Sequence, residues 1–252
     1  MKVAILGSSS SGNSTFIEVG GVKLLVDVGF SLKKIVEKLA SINEKLEDIY
    51  AVFITHEHID HVKSLGPLLR KTNALVYIHE DSYNVIKDKI GKYDEDRIIL
   101  LKDREVYINN ASIVNFDLTH DAVHCLGYSF IENNKKFVYI TDAGYVTKMM
   151  ELQCQNADVI AIESNYDFDL LMTGSYPWDI KNRIKGKFGH LSNQDCLKLL
   201  RNSYTDKLKK IYLMHLSDEN NMPSLAMHNI KKEYKEIDVE ISGEEVTSVF
   251  EI

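Results

Sequence analysis

The sequence predicts an α/β protein: two mixed sheets packed on each other, with helices on their outer faces. Three observations lead there. Apolar, β-rich runs alternate with helical segments along the whole chain of 252 residues. The early runs lie close enough to pair as hairpins, with Gly20-Gly21 between two of them and Asn133-Asn134 between two more. Such pairs suit the left-handed backbone of a two-residue turn. The later runs are spaced by segments of helical length. Hairpins and crossovers together suit two packed sheets better than a doubly wound parallel sheet.

The first strand is expected at 2–6, where Lys-Val-Ala-Ile-Leu is too short for a signal segment. Runs 15–19 and 22–28 flank Gly20-Gly21, and a helix at 31–41 follows. Ala-Val-Phe-Ile-Thr at 51–55 reads as a buried strand. A Leu-rich helix at 61–72, a strand at 75–79 and a helix at 81–90 come next. Further strands are expected at 105–108, 112–117, 127–132 and 136–141, rich in Val, Ile, Tyr and Phe. Helix 145–153, strand 158–163, helix 192–203, strand 210–215, helix 223–235 and strand 246–251 complete the chain. Leu25-Val26-Asp27-Val28-Gly29 and Tyr139-Ile140-Thr141-Asp142-Ala143-Gly144 echo each other, each ending an apolar strand on an Asp. The echo is compatible with two related halves. No low-complexity linker interrupts residues 1–252, which read as one domain.

A composition of 44% hydrophobic and 27% charged residues is that of an ordinary globular protein. No apolar run reaches about 18 residues, so no membrane partner is expected. Cys125, Cys154 and Cys196 are odd in number and far apart, which suits a reducing, cytoplasmic setting. A net charge of −7 counts against a general nucleic-acid coat protein. Bound cations would add positive charge where it matters.

The chemistry concentrates at His56-Glu57-His58-Ile59-Asp60-His61, directly after the strand at 51–55. Imidazole and carboxylate donors at this density suit zinc, manganese or iron, not calcium. His56 and His58 would share one ion; Asp60 and His61, where the chain turns into a helix, can face a second. A polar helix start with Asp60 as its cap is the plainer alternative. It leaves three histidines in six positions without a reason.

HxHxDH after an apolar strand resembles the signature of the metallo-β-lactamase superfamily, and the rest of the chain follows in order. By that resemblance, Asp27 supports the metal loop. His120, in Thr119-His120-Asp121-Ala122, completes a first site with His56 and His58. His215, in Leu213-Met214-His215-Leu216-Ser217, completes a second with Asp60 and His61, and Asp142 bridges the two. The implied fold is an αββα sandwich, and the implied cofactors are two divalent transition-metal ions, Mn2+ or Zn2+. Gly7-Ser8-Ser9-Ser10-Ser11-Gly12-Asn13-Ser14, Glu163-Ser164-Asn165-Tyr166-Asp167 and Gly189-His190-Leu191-Ser192-Asn193 narrow the resemblance to the YycJ (WalJ) branch. Its members are regarded as DNA exonucleases acting 5′ to 3′ in DNA maintenance. One departure is Leu126 before Gly127-Tyr128, where the branch often has Pro.

Two such ions can hold a bridging hydroxide at neutral pH and neutralise phosphoryl oxygens. A leaving alkoxide still needs a proton. By similarity to tRNase Z enzymes, His190 is the acid and Glu163 orients it; a helix cap and an ordinary loop residue are the plainer readings. Ser8, Ser9, Ser11 and Asn13 are expected to receive a terminal phosphate, with Ser192 and Asn193 as further substrate contacts. The same stretch 8–14 also reads as a simple turn. The basic stretch 181–187 suits either a phosphate backbone or a solvated face. Tyr176 and Trp178, flanking Pro177, read as core, with base stacking as the alternative. RNA processing and small phosphodiester hydrolysis are the rival activities. A di-iron redox protein of this fold would carry Glu at His58, and a silent binding module would have lost ligands.

Overall fold

Strand alternation decides the architecture. In β1 (Lys2–Ser9), Val3 and Ile5 turn to one apolar layer and Leu6 to another; in β4 (Ile49–Phe53), Ala51 and Phe53 oppose Val52 in the same way. A strand buried on both faces needs a sheet on one side and helices on the other. The computed structural model describes residues 1–252 and has this arrangement throughout.

The first sheet runs β14-β1-β2-β3-β4-β5-β6, with β2 at Gly12–Val19, β3 at Val22–Val26, β5 at Leu75–Ile78, β6 at Ile98–Leu100 and β14 at Phe250–Glu251. The second runs β13-β12-β11-β10-β9-β8-β7. Its strands are β7 (Glu105–Ile108), β8 (Ala111–Leu118), β9 (Cys125–Glu132), β10 (Lys135–Ile140), β11 (Val159–Glu163), β12 (Lys210–Met214) and β13 (Asp238–Ile241). A core containing Phe53, Tyr128, Phe130, Tyr139 and Tyr212 lies between the sheets. Helices α1 (Leu32–Ser41), α3 (Leu65–Lys71) and α4 (Glu80–Ile86) cover the first sheet. Helices α5 (Lys148–Cys154), α8 (Asn193–Ser203) and α9 (Pro223–Glu233) cover the second. This is the expected αββα sandwich. No helix is long and apolar enough to cross a membrane.

Both expected turns form. Gly20 and Gly21 have φ of 61° and 73°, and Asn133 and Asn134 have 47° and 64°. The echo between the halves is visible in topology. β1 to β3 pair antiparallel, then β3 to β6 parallel; β8 to β10 pair antiparallel, then β10 to β13 parallel.

Several details differ from expectation, among them the strands β6 and β13, which the apolar pattern did not indicate. The helix at 61–72 is two pieces, α2 (Ile59–Val62) and α3, because Ser64 turns both its N–H and its hydroxyl to the Val28 carbonyl. The strand at 246–251 shrinks to β14, since Thr247 leaves the ladder to bond both main-chain groups of Ile5. The first strand runs on to Ser9, so 8–14 is a hairpin rather than a free loop. Helices α6 (Phe168–Thr173) and α7 (Trp178–Ile184) fill a segment the sequence pattern left blank.

Candidate active site

The strands deliver the site at their carboxyl ends. Asp27 follows β3, His56 follows β4, Asp142 follows β10, Glu163 ends β11 and His215 follows β12. Asp27, Asp142 and His215 are left-handed, with φ of 60°, 54° and 54°. Non-glycine residues in that region are uncommon and gather at functional sites.

Asp27 is fully buried and organises the loop. Its Oδ1 accepts from the Thr55 N–H at 2.8 Å, and its Oδ2 meets the Thr55 hydroxyl at 2.9 Å and His61 Nδ1 at 2.8 Å. Thr55 Oγ1 in turn lies 3.0 Å from His56 Nδ1. His120 Nδ1 lies 3.1 Å from the Gly189 carbonyl, and His215 Nδ1 lies 3.2 Å from Glu163 Oε1. In all four rings Nδ1 is engaged by the protein. Such bonds fix the ring and leave Nε2 for a ligand.

Imidazole nitrogens gather around Asp142. Its Oδ2 is 3.2 Å from His61 Nε2, and its Oδ1 is 3.9 Å from His120 Nε2 and 3.6 Å from His215 Nδ1. Donor atoms of His56, His58 and His120 lie within 4.8 Å of one another, as do those of His56, His61 and Asp142. Asp60 Oδ2 is 3.3 Å from His61 Nε2. The structure thus brings together all seven residues expected as ligands.

The donor set fits a pair of cations. His56 Nε2 and His215 Nε2 are buried with no hydrogen-bond partner, although buried polar atoms are normally paired. Burial and the neighbouring His61 hold the His56 pKa well below the ordinary histidine value, the neutral form a metal requires. Burial opposes a charged Asp142, but His215, His61 and His120 outweigh it and keep the carboxyl well below the usual range.

Glu163 and His190 flank this cluster. His190 Nδ1 is 2.6 Å from Glu163 Oε1, while Glu163 Oε2 accepts from the N–H groups of Ala143 and Leu191. Burial disfavours the imidazolium, but Glu163 and Asp142 outweigh it and raise the His190 pKa to about 9. The ring is 21% exposed and lines two cavities, one with Phe188 and Arg183, the other with Ser10, Tyr176 and His215.

The expected substrate contacts divide. Ser8, Asn13, Ser192 and Asn193 are buried and build the site instead. Ser8 Oγ donates to Asn13 Oδ1 and accepts from the His215 N–H; Asn13 Nδ2 lies 3.2 Å from Asp60 Oδ2 and 3.1 Å from His61 Nε2. Ser192 caps α8, and Asn193 bonds Ser164 and Asn221. Ser11 is exposed at the hairpin tip, and the Ser9 hydroxyl, buried like the others, lies 2.8 Å from its own. Trp178 is no core residue: it is 60% exposed, with Lys185 Nζ 4.9 Å above its ring. The basic stretch is largely committed, because Lys181 is buried against the Met172 and Gly174 carbonyls and Arg183 pairs with Asp121. The sequence pattern gives Glu57 and Cys125 no part in the site, yet both support it. Glu57 straps the loop to the Val123 N–H at 2.8 Å and the Ser82 hydroxyl at 3.1 Å, and Cys125 Sγ lies 3.7 Å from His56 Nδ1.

Residues 23–216 match the family model described as a β-lactamase superfamily domain. The chain is 42% identical over 228 residues to exodeoxyribonuclease WalJ of Streptococcus pneumoniae serotype 2, covering 89% of this chain and 85% of that one. It is 36% identical over 234 residues to exodeoxyribonuclease YycJ of Bacillus anthracis, covering 92% and 89%. The crystal structure of the metallo-β-lactamase fold protein YhfI from Bacillus subtilis superposes with a TM-score of 0.76 at 18% identity, covering 99% of both chains. The chain therefore belongs to the β-lactamase superfamily and, within it, to the family of the WalJ and YycJ proteins.

Proposed function

We propose that this protein is a phosphodiesterase working with two divalent ions, Mn2+ or Zn2+, and that it is a 5′ to 3′ DNA exonuclease in cytoplasmic DNA repair or maintenance. The observation that carries the reading is the gathering of imidazole nitrogens around Asp142, with the buried and unpartnered Nε2 atoms of His56 and His215 in the same cluster and the Glu163–His190 pair alongside. The exodeoxyribonuclease names of the relatives support DNA over RNA. In this reading His56, His58 and His120 would hold one ion and Asp60, His61 and His215 the other, with Asp142 available to either. Bound there, the ions supply Lewis acidity toward phosphoryl oxygens and acidify a water.

The protein's own groups do the rest. His190 keeps a proton below pH about 9 and presents it to the leaving alkoxide from the cavity wall. Glu163 holds the ring by Nδ1, so the free edge points away from the carboxylate. Asn13 steadies Asp60 and His61 from below. Ser11, exposed at the hairpin tip with the buried Ser9 hydroxyl behind it, is the candidate for a terminal phosphate.

The test is incubation with Mn2+ or Zn2+ and end-labelled single- and double-stranded DNA and RNA. 5′-Labelled DNA is expected to release labelled mononucleotide at once, while 3′-labelled DNA shortens stepwise. Preferred cleavage of RNA, internal cuts, or undiminished activity after metal removal would each contradict the proposal.

A further inference from the structure

A groove of about 450 Å³ opens at His58 and runs between α2–α3 and α4. His190 does not line it. Its floor is aliphatic, built by Val62, Pro67, Val85 and Ile86. Lys63 and Lys89 stand on its rim, exposed and without an ion-pair partner. The two other charged groups facing it are already engaged. Glu57 is held by Val123 and Ser82, and Arg70 Nη1 donates to the Ile90 carbonyl at 2.8 Å. The far end is closed, because α3 approaches the chain so tightly that a Cβ on Gly66 would sit 2.0 Å from the Ile90 carbonyl oxygen.

Free cations over an aliphatic floor, beside a hydrolytic centre, suit a ligand with one flat apolar part and one anionic part. In a chain of net charge −7, the two lysines make this rim locally positive. The volume falls within the range of pockets that enclose a small ligand. We propose that this groove is a nucleotide subsite: the base next to the scissile phosphate lies on Val62, Pro67 and Val85, and the following backbone phosphate sits between Lys63 and Lys89. The subsite rests on the phosphodiesterase reading. The floor side chains offer no donor or acceptor to a base edge, so the base is held by its faces and its identity is not read.

The experiment compares kcat/KM for an oligodeoxynucleotide and for bis(p-nitrophenyl) phosphate, a diester too small to fill the groove. Lys89→Glu and Val85→Asp, both on the α4 side and away from the metal loop, are expected to lower the oligonucleotide-to-diester ratio about tenfold, and Lys89→Glu to reduce the salt slope of oligonucleotide binding by about one. Lys33→Glu, on exposed α1, leaves the ratio level. The four bases placed next to the cleaved bond are expected to differ by less than about threefold. Level ratios and an unchanged salt slope in both α4 variants, with the diester still turned over, overturn the subsite alone. Wild-type protein that turns over neither substrate overturns the phosphodiesterase reading and the subsite with it. A tenfold or greater preference for one base overturns binding by the faces.

Discussion

Replacing Glu163 by Gln tests the acid role of His190 directly. Gln keeps the shape and can keep its carbonyl on the Ala143 and Leu191 N–H groups, where Glu163 Oε2 now accepts. Its NH2 then faces His190 Nδ1, where a carboxylate oxygen stood 2.6 Å away. A charge-assisted bond becomes one that favours the neutral ring. Hydrogen bonds to charged groups are worth about 1.5–3 kcal/mol, and one pKa unit is about 1.4 kcal/mol, so the shift is about one to two units downward. The sign follows from the proton. His190, with a pKa of about 9, is an acid below that pH and loses the role above it. In Glu163→Gln the alkaline limb of kcat is expected to fall from about 9 to about 7–8. At pH 8 the protonated fraction of His190 falls from about nine-tenths to between about one-half and one-tenth, so the loss is expected to be about two- to tenfold for a nucleoside alkoxide leaving group and far smaller for p-nitrophenolate, which leaves without a proton. The assay is a pH–rate profile on paired substrates, with metal content measured in parallel because His215 Nδ1 also touches Glu163 Oε1. An unmoved limb, or equal losses on both leaving groups at full metal content, would refute the reasoning.

Three further outcomes follow from the same geometry. Purified protein is expected to contain close to two divalent ions, and chelation to lower the melting temperature by roughly 5–10 °C per ion present at about a hundredfold over its Kd; thermal scans with and without chelator check it. His58→Ala and Asp142→Ala are expected to lose hydrolysis with the circular dichroism spectrum retained, and Asp27→Asn, which loosens Thr55 and His61, to weaken metal affinity about 10–100-fold by titration. Gly29→Ala would place a Cβ 1.5 Å from the Asp60 carbonyl oxygen, and is expected to remove at least about 3 kcal/mol of stability, or roughly 6–12 °C in melting temperature, measured by calorimetry.

What could be read in the sequence was what is local. Four donors sit within six residues at His56–His61, and two-residue turns announce themselves as Gly20-Gly21 and Asn133-Asn134, so loop and hairpins were both legible. Two packed sheets followed from hairpins and crossovers in one chain, and the αββα layering from the resemblance that HxHxDH carries. The rest depends on partners distant in the chain. Asn13 reads as a turn residue until His61, 48 positions on, is found beside it. Lys181 reads as part of a basic stripe until the Met172 and Gly174 carbonyls capture its amine. Ser64 reads as the middle of a helix until Val28 draws it out of register. Each misplaced residue satisfied a buried polar atom, which no local pattern records.

The two halves explain why the centre lies where the sheets meet. Asp27 and Asp142 follow equivalent strands, β3 and β10, and share the left-handed turn. His79 and His215 likewise follow β5 and β12. The side chains then diverge. Asp27 is spent on Thr55 and His61, whereas Asp142 meets four imidazoles. His79 stacks face to face on His124, centroids 3.6 Å apart and planes 10° apart, so their in-plane lone pairs run parallel and do not meet on one ion. His215 instead sits 33° from His190 with its Nε2 unpartnered. The first half therefore provides the loop of close donors, and the second provides the carboxylate between them, the last imidazole and the acid. A full donor set exists only where the two sheets bring these strand ends together, and the fully buried core between the sheets is what holds the ligands of both halves in one place.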